Sequence, residues 1–224
     1  MTSSRSLKHI LIISGILLIP SISYLILSSG KNQFERLSIY GPRELPESGS
    51  TDTIFHQVDN FKLYTQDSSQ YIFNEHNADI IVANFFFATC QTICPKMSSQ
   101  MERIQANYKD DNRIELLSFS VDPSKDTLEA LRIYADLYNA IPEKWYFLTG
   151  DKKTIYDIAR YGFYLTVMEG DGGSDDFIHS EKIVLLDKHR RIRGYYDGTN
   201  YEDVGKLIDE IVVLKWEYEN YDPK

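Results

Sequence analysis

Cys90 and Cys94 are the only cysteines in the 224-residue chain, and three residues separate them in the run FFFATCQTICPKM. That spacing is not the C-x-x-C of thioredoxin-type redox enzymes. The uncharged stretch 82–87 just before them reads as a strand buried on both faces of a sheet. Pro95 suits the first turn of a helix, where its missing N–H leaves no bond unmade. The two thiols therefore fall on a strand-to-helix turn. Open α/β sheets collect ligands there, and the start of a helix favours anions such as thiolates. A local structural disulfide is one reading, in which Cys90→Ser does no more than destabilise an anchored interaction domain. Closing so short a loop gains little, however, because the effect grows with loop length. Reactivity or metal binding explains the pair better.

Two thiolates leave most metals short of donors. His179, 85 residues after Cys94, is the candidate third ligand, because it lies between an acidic stretch and a strand that can return to the same end of the sheet. His9, His56, His76 and His189 fall in less suitable places: beside the apolar N-terminal run, in a weakly patterned region, and in a basic hairpin. In a Cys2His set, thiolate softness suits Cu(I) and imidazole keeps Cu(II) accessible. Zinc normally takes a fourth ligand, so copper is favoured. Methionine is also a soft donor, but Met97, Met101, Ile104 and Tyr108 repeat at helical spacing, which assigns both methionines to core packing.

The elements that must position these residues are legible in outline. Residues 10–30 carry no charge and, as a helix, reach roughly 30 Å, the thickness of a bilayer core. This predicts a transmembrane anchor at 10–30 behind a short cytoplasmic tail at 1–9. No A-x-A cleavage site follows the segment, and it has no cysteine for lipid attachment. Residues 31–53, rich in Gly, Pro, Ser and charge, read as a flexible linker. Residues 54–224 form the globular domain. Strands are expected near 61–64, 80–87, 114–121, 145–148, 183–186 and 191–196. Helices are expected after Pro95, after Asp126 as N-cap with Glu129 reaching back, after Asp151, and after Thr199 with Glu202 in a capping box. Strands alternating with helices, closed by a hairpin and a helix, predict an α/β sandwich with a mixed central sheet. The net charge of −9 argues against nucleic-acid binding, and the one basic run, KHRRIR at 188–193, reads as a solvated hairpin. The polar stretch EGDGGSDD at 169–176 reads as an exposed loop.

The runs ATCQTICPKM, SVDPSKDTLEAL, FLTG and DFIHSEKIVLLD, in that order, resemble the Sco/SenC family of copper-binding proteins over about residues 54–215. The resemblance implies a thioredoxin-like fold on a single membrane anchor and a part in assembling the copper site of cytochrome c oxidase. It also implies that Cys90, Cys94 and His179 match the family's three copper ligands. The family commonly has proline after its first cysteine, where this chain has Gln91, and aspartate before its histidine, where this chain has Ile178. Ala88 stands where threonine is usual. These changes bear on copper affinity and redox potential through the surroundings of the ligands.

The expected role is a copper metallochaperone that loads an oxidase copper-site subunit while cycling its cysteines between dithiol and disulfide. The alternative is a thiol-disulfide oxidoreductase acting on an oxidase subunit or another envelope protein. Either role needs a copper donor or a thiol reductant as a further partner. Either also needs an oxidising compartment, which places the domain outside the bacterial cytoplasmic membrane, in the periplasm. An N-terminus without an Arg/Ser-rich transit region points to a bacterium.

Overall fold

The computed structural model describes residues 3–29, 35–44, 53–165 and 180–221, and within the first of these the side chains of His9 and residues 12–25. The chain divides into two compact units, Met1–Glu35 and Arg36–Lys224. The second therefore begins earlier than residue 54, the start read from composition.

The first unit is one helix, α1 (Ser3–Ser29), which continues through Pro20. Ile12, Ile13, Ile16, Leu17, Leu18, Ile19, Ile22 and Leu25 are all exposed on it. Among the described residues no helix is long and apolar enough to cross a membrane. The anchor expected from the sequence thus gains no support beyond the helix itself.

The second unit opens with a two-stranded pair, β1 (Arg43–Glu44) and β2 (Ile54–Phe55). Its body is a seven-stranded mixed sheet of β3 (Lys62–Thr65), β4 (Gln70–Ile72), β5 (Ile80–Phe86), β6 (Ile114–Ser120), β7 (Trp145–Thr149), β8 (Lys182–Leu186) and β9 (Ile192–Asp197), in the order β4-β3-β7-β6-β5-β8-β9. The central strands β5, β6 and β7 are parallel, and the outer strands join antiparallel. All residues of β5 and β6 are buried, as expected for strands covered on both faces. Along β5, Ile80, Val82 and Phe86 enter one core and Ile81, Ala83 and Phe85 the other, the two-residue alternation of a strand. The first core is closed by α2 (Cys94–Asn107), α3 (Leu128–Leu137) and α5 (Tyr201–Asn220). The opposite core is closed by α4 (Lys152–Asp157) and the π-helical turn Ile158–Gly162. This is the thioredoxin-like sandwich with helices flanking a mixed sheet.

Two helix starts differ from the sequence expectation. Thr127, not Asp126, caps α3 by accepting the Ala130 N–H at 3.2 Å, and Glu129 pairs with Arg132 instead of reaching back. Asn200, not Thr199, caps α5, and its side chain accepts the N–H groups of Glu202 and Asp203. Thr199 is drawn off by Asp197. The basic hairpin is not simply solvated either. Arg193 is 3% exposed, because strand alternation turns it inward toward the buried carboxylates of Asp187 and Glu217. The same guanidinium donates to the carbonyls of Leu37 and Ser38, while the Leu37 N–H donates to Glu217. Tyr40 then bridges to Ile192 at the edge of β9. Residues 37–40, expected as linker, are tied to the domain by these bonds.

Candidate metal centre

Strand β5 ends at Phe86 and α2 begins at Cys94, so the thiols sit on the strand-to-helix turn expected from the sequence. The Cys90 N–H donates to the Phe87 carbonyl at 3.1 Å and closes the first turn after the strand. Ile93, at the N-cap of α2, has no side-chain acceptor to offer the exposed amides. The Cys90 sulfur takes that role and accepts the Cys94 N–H at 3.5 Å. The Thr92 hydroxyl lies 3.7 Å from the same sulfur. Proline in the first turn keeps the helix start intact without a donor.

Both cysteines are free thiols, and their environments pull them apart. Burial pushes the Cys90 thiol up, but hydrogen bonds from Cys94 and Thr92 outweigh it and hold it down to about 7. Burial pushes the Cys94 thiol up to about 12. The Phe87 backbone favours its anion, but the nearby Cys90 sulfur and the Asp126 carboxylate oppose it. Cys90 is 9% exposed and Cys94 2%. The outer sulfur is thus a ready thiolate near neutral pH, and the inner one a protonated reserve beside it.

The wall behind the pair is aromatic and polar by turns. Phe86 packs on Tyr134 with ring centroids 4.9 Å apart, and the Tyr134 hydroxyl lies 3.0 Å from the Ser98 hydroxyl one turn into α2. Met97 and Met101 are fully buried beneath, as their helical spacing requires. Gln91 is exposed at the turn.

The expected third donor, His179, lies outside the described residues, as do Ile178 and the acidic stretch 169–176. The described chain resumes at Ser180 and enters β8, which runs antiparallel to β5 with Ile183 opposite Asn84. The start of β8 is therefore at the same end of the sheet as the end of β5. Among the described residues no group of three or more His, Cys, Asp and Glu side chains could hold a metal ion. His56 is engaged with the Gly162 carbonyl and the Tyr164 ring, and His76 with Glu115 and the Tyr71 ring. Asp126, read from the sequence as a helix cap, instead reaches the cysteine turn and accepts the Ala88 N–H. Only its place in SVDPSKDT, at the end of the neighbouring strand, hinted at this.

The family model for SCO1/SenC matches residues 50–214. The chain belongs to the SCO1/SenC family. It is 27% identical over 168 residues to the SCO1 protein homolog of Bacillus subtilis, covering 73% of this chain and 87% of that one. The solved structure of BsSco, described as a member of the Sco family of cytochrome c oxidase assembly proteins with a disulfide switch, is 27% identical. It superposes with a TM-score of 0.60 over 71% of this chain and 93% of its own. Arabidopsis thaliana ScoI with copper bound shares the fold, with a TM-score of 0.57 at 21% identity over 71% of this chain and 98% of its own.

Proposed function

We propose that this SCO1/SenC protein is a copper metallochaperone in which Cys90, Cys94 and His179 hold copper as cargo for a cytochrome c oxidase subunit. The observation that carries the reading is the pair of free thiols at the start of α2, with Cys90 held down to about 7. Two soft sulfurs, one ready as a thiolate, suit Cu(I), and an imidazole donor extends the set to Cu(II). The copper-bound Sco structure and the oxidase-assembly role stated for BsSco support the same choice. The end of the sheet shared by β5 and β8 supports His179 as the third donor. The uncharged run 10–30, helical in α1 as far as Ser29, supports a single-pass anchor in the bacterial cytoplasmic membrane with the domain on the periplasmic side.

Copper titration of the reduced full-length protein in detergent tests this. One copper per chain is expected, with affinity at least about tenfold lower in His179→Ala, a loss seen even for partners outside the ligand set. Unchanged stoichiometry and affinity in that variant overturn the three-donor site.

A second reading is favoured by the unequal thiols, which also suit a thiol-disulfide reductase. The Cys90 thiolate attacks a partner disulfide, releasing one partner thiolate and forming a mixed disulfide. Cys94, giving up its proton, then attacks the Cys90 sulfur and releases the second partner thiolate. The partner gains two electrons, and this protein keeps the Cys90–Cys94 disulfide. Oxidase assembly that persists in His179→Ala protein unable to bind copper selects this reading.

A further inference from the structure

Asp126 sits where the ends of two central strands meet. Ser120 closes β6 opposite Phe86 of β5, and the Val121 N–H donates to the Phe86 carbonyl at 2.9 Å. From there residues 122–126 turn back, with the N–H groups of Lys125 and Asp126 both donating to the Asp122 carbonyl. The Asp126 side chain is 1% exposed. Both its oxygens accept the Ala88 N–H, at 3.1 and 3.2 Å, and Oδ2 also accepts the Ser120 hydroxyl at 2.6 Å. Burying a carboxylate is costly unless donors surround it, and these are the donors.

Only Ala88 among them belongs to the cysteine turn. It follows Phe87, whose carbonyl accepts the Cys90 N–H, and the Cys90 sulfur in turn meets the Cys94 N–H at 3.5 Å. That last contact is long enough that a shift of about 1 Å breaks it. We propose that Asp126 is a positioning residue for the dithiol: by gripping the Ala88 N–H it fixes the turn that seats the Cys90 sulfur on the first amide of α2. It touches neither sulfur through a hydrogen bond and acts through the backbone between them. The inference rests on Cys90 and Cys94 being the working pair, but not on what they work on.

The test is the rate of Cys90 alkylation by iodoacetamide in the reduced full-length protein, followed by peptide mass spectrometry, with circular dichroism reporting the fold. Alkylation involves no copper, so it stands apart from the titration that tests the metal site. Asp126→Ala is expected to slow Cys90 at least about tenfold, the size of one lost hydrogen bond to a charged group. Asp126→Asn keeps an acceptor for Ala88 and is expected to return within about threefold of the natural protein. Ser120→Ala, which leaves the Ala88 contact in place, is expected to do the same. A natural rate in folded Asp126→Ala overturns the proposal, and so does equal slowing by Ser120→Ala. If Asp126→Ala does not fold, Ala88→Pro removes the donated N–H with the carboxylate intact. It must slow Cys90 comparably, and a natural rate there overturns the proposal.

Discussion

Two buried polar regions of the domain are built on opposite terms. Around Arg193 every charge has found its counterpart: the guanidinium meets Asp187, both oxygens of Glu217 and the carbonyls of Leu37 and Ser38. Around Cys90 the outer sulfur makes contacts of 3.5 and 3.7 Å, and the short bonds beside it belong to Asp126, which accepts the Ala88 N–H and the Ser120 hydroxyl. Saturated polar groups fix a structure, because breaking one strands the others in a medium that cannot solvate them. Loosely bonded sulfurs on a firmly held turn keep their lone pairs for a ligand. The contrast separates the part of the molecule that holds shape from the part that does chemistry.

The sharpest way to break that comparison is at its saturated end. Arg193→Ala leaves the buried Glu217 carboxylate without a cation and Asp187 with Arg191 alone, and is expected to cost about 3–5 kcal/mol. Urea unfolding followed by circular dichroism measures it, and a loss below about 1 kcal/mol places the network among weak, solvent-screened pairs. Copper stoichiometry of whatever fraction stays folded is expected to be unchanged, since the network shares no residue with the cysteine turn.

A smaller effect belongs to the helix that closes the core over the sheet. Asn200→Ala removes the acceptor for the Glu202 and Asp203 amides and is expected to cost about 1 kcal/mol. Thr199→Ala is expected to cost less, because its hydroxyl serves Asp197 and not the helix. Comparing the two urea midpoints decides which residue is the cap. Equal losses favour the Thr199 capping box read from the sequence.

These regions also differ in how far the sequence discloses them. The cysteine turn is legible because local signals agree: an uncharged run, a proline and a four-residue stripe after it, all within residues 82–108. The same holds for β6 and for the buried methionines, where periodicity reports burial directly. Arg193 is illegible because KHRRIR is a run of charge, and its reading as solvent-exposed changes only when Asp187 and Glu217 are known to face it. Asp126 misleads for a related reason. An aspartate at a helix start looks like a cap from sequence, and its true partner is Ala88, 38 residues earlier. Pairings across strands leave no local pattern, whereas caps, turns and stripes do. His179 was singled out by chemistry and resemblance, and it falls beyond the described residues.

The largest expected change in function is at Cys90, and a stability change tied to pH accompanies it. Its thiol in the folded protein lies at about 7 against an ordinary 9.0, so folding favours the thiolate. For an acid whose folded value is lowered, the stabilisation is complete above the unfolded value and disappears as pH falls through the folded one. Reduced natural protein is therefore expected to gain stability over Cys90→Ala as pH rises from about 7 to about 9, and to show no such gain below 7. Cys94 sets the opposite slope at higher pH. Its raised value, about 12, makes natural protein lose stability relative to Cys94→Ala as pH climbs from about 9 toward 12, and buried tyrosines raised over the same range, among them Tyr108, Tyr146 and Tyr195, cancel in that difference. Copper binding by Cys90→Ala is expected to be lost. A large, pH-independent destabilisation with copper binding intact would make Cys90 a structural residue like Arg193, and the distinction between the two regions would fall with it.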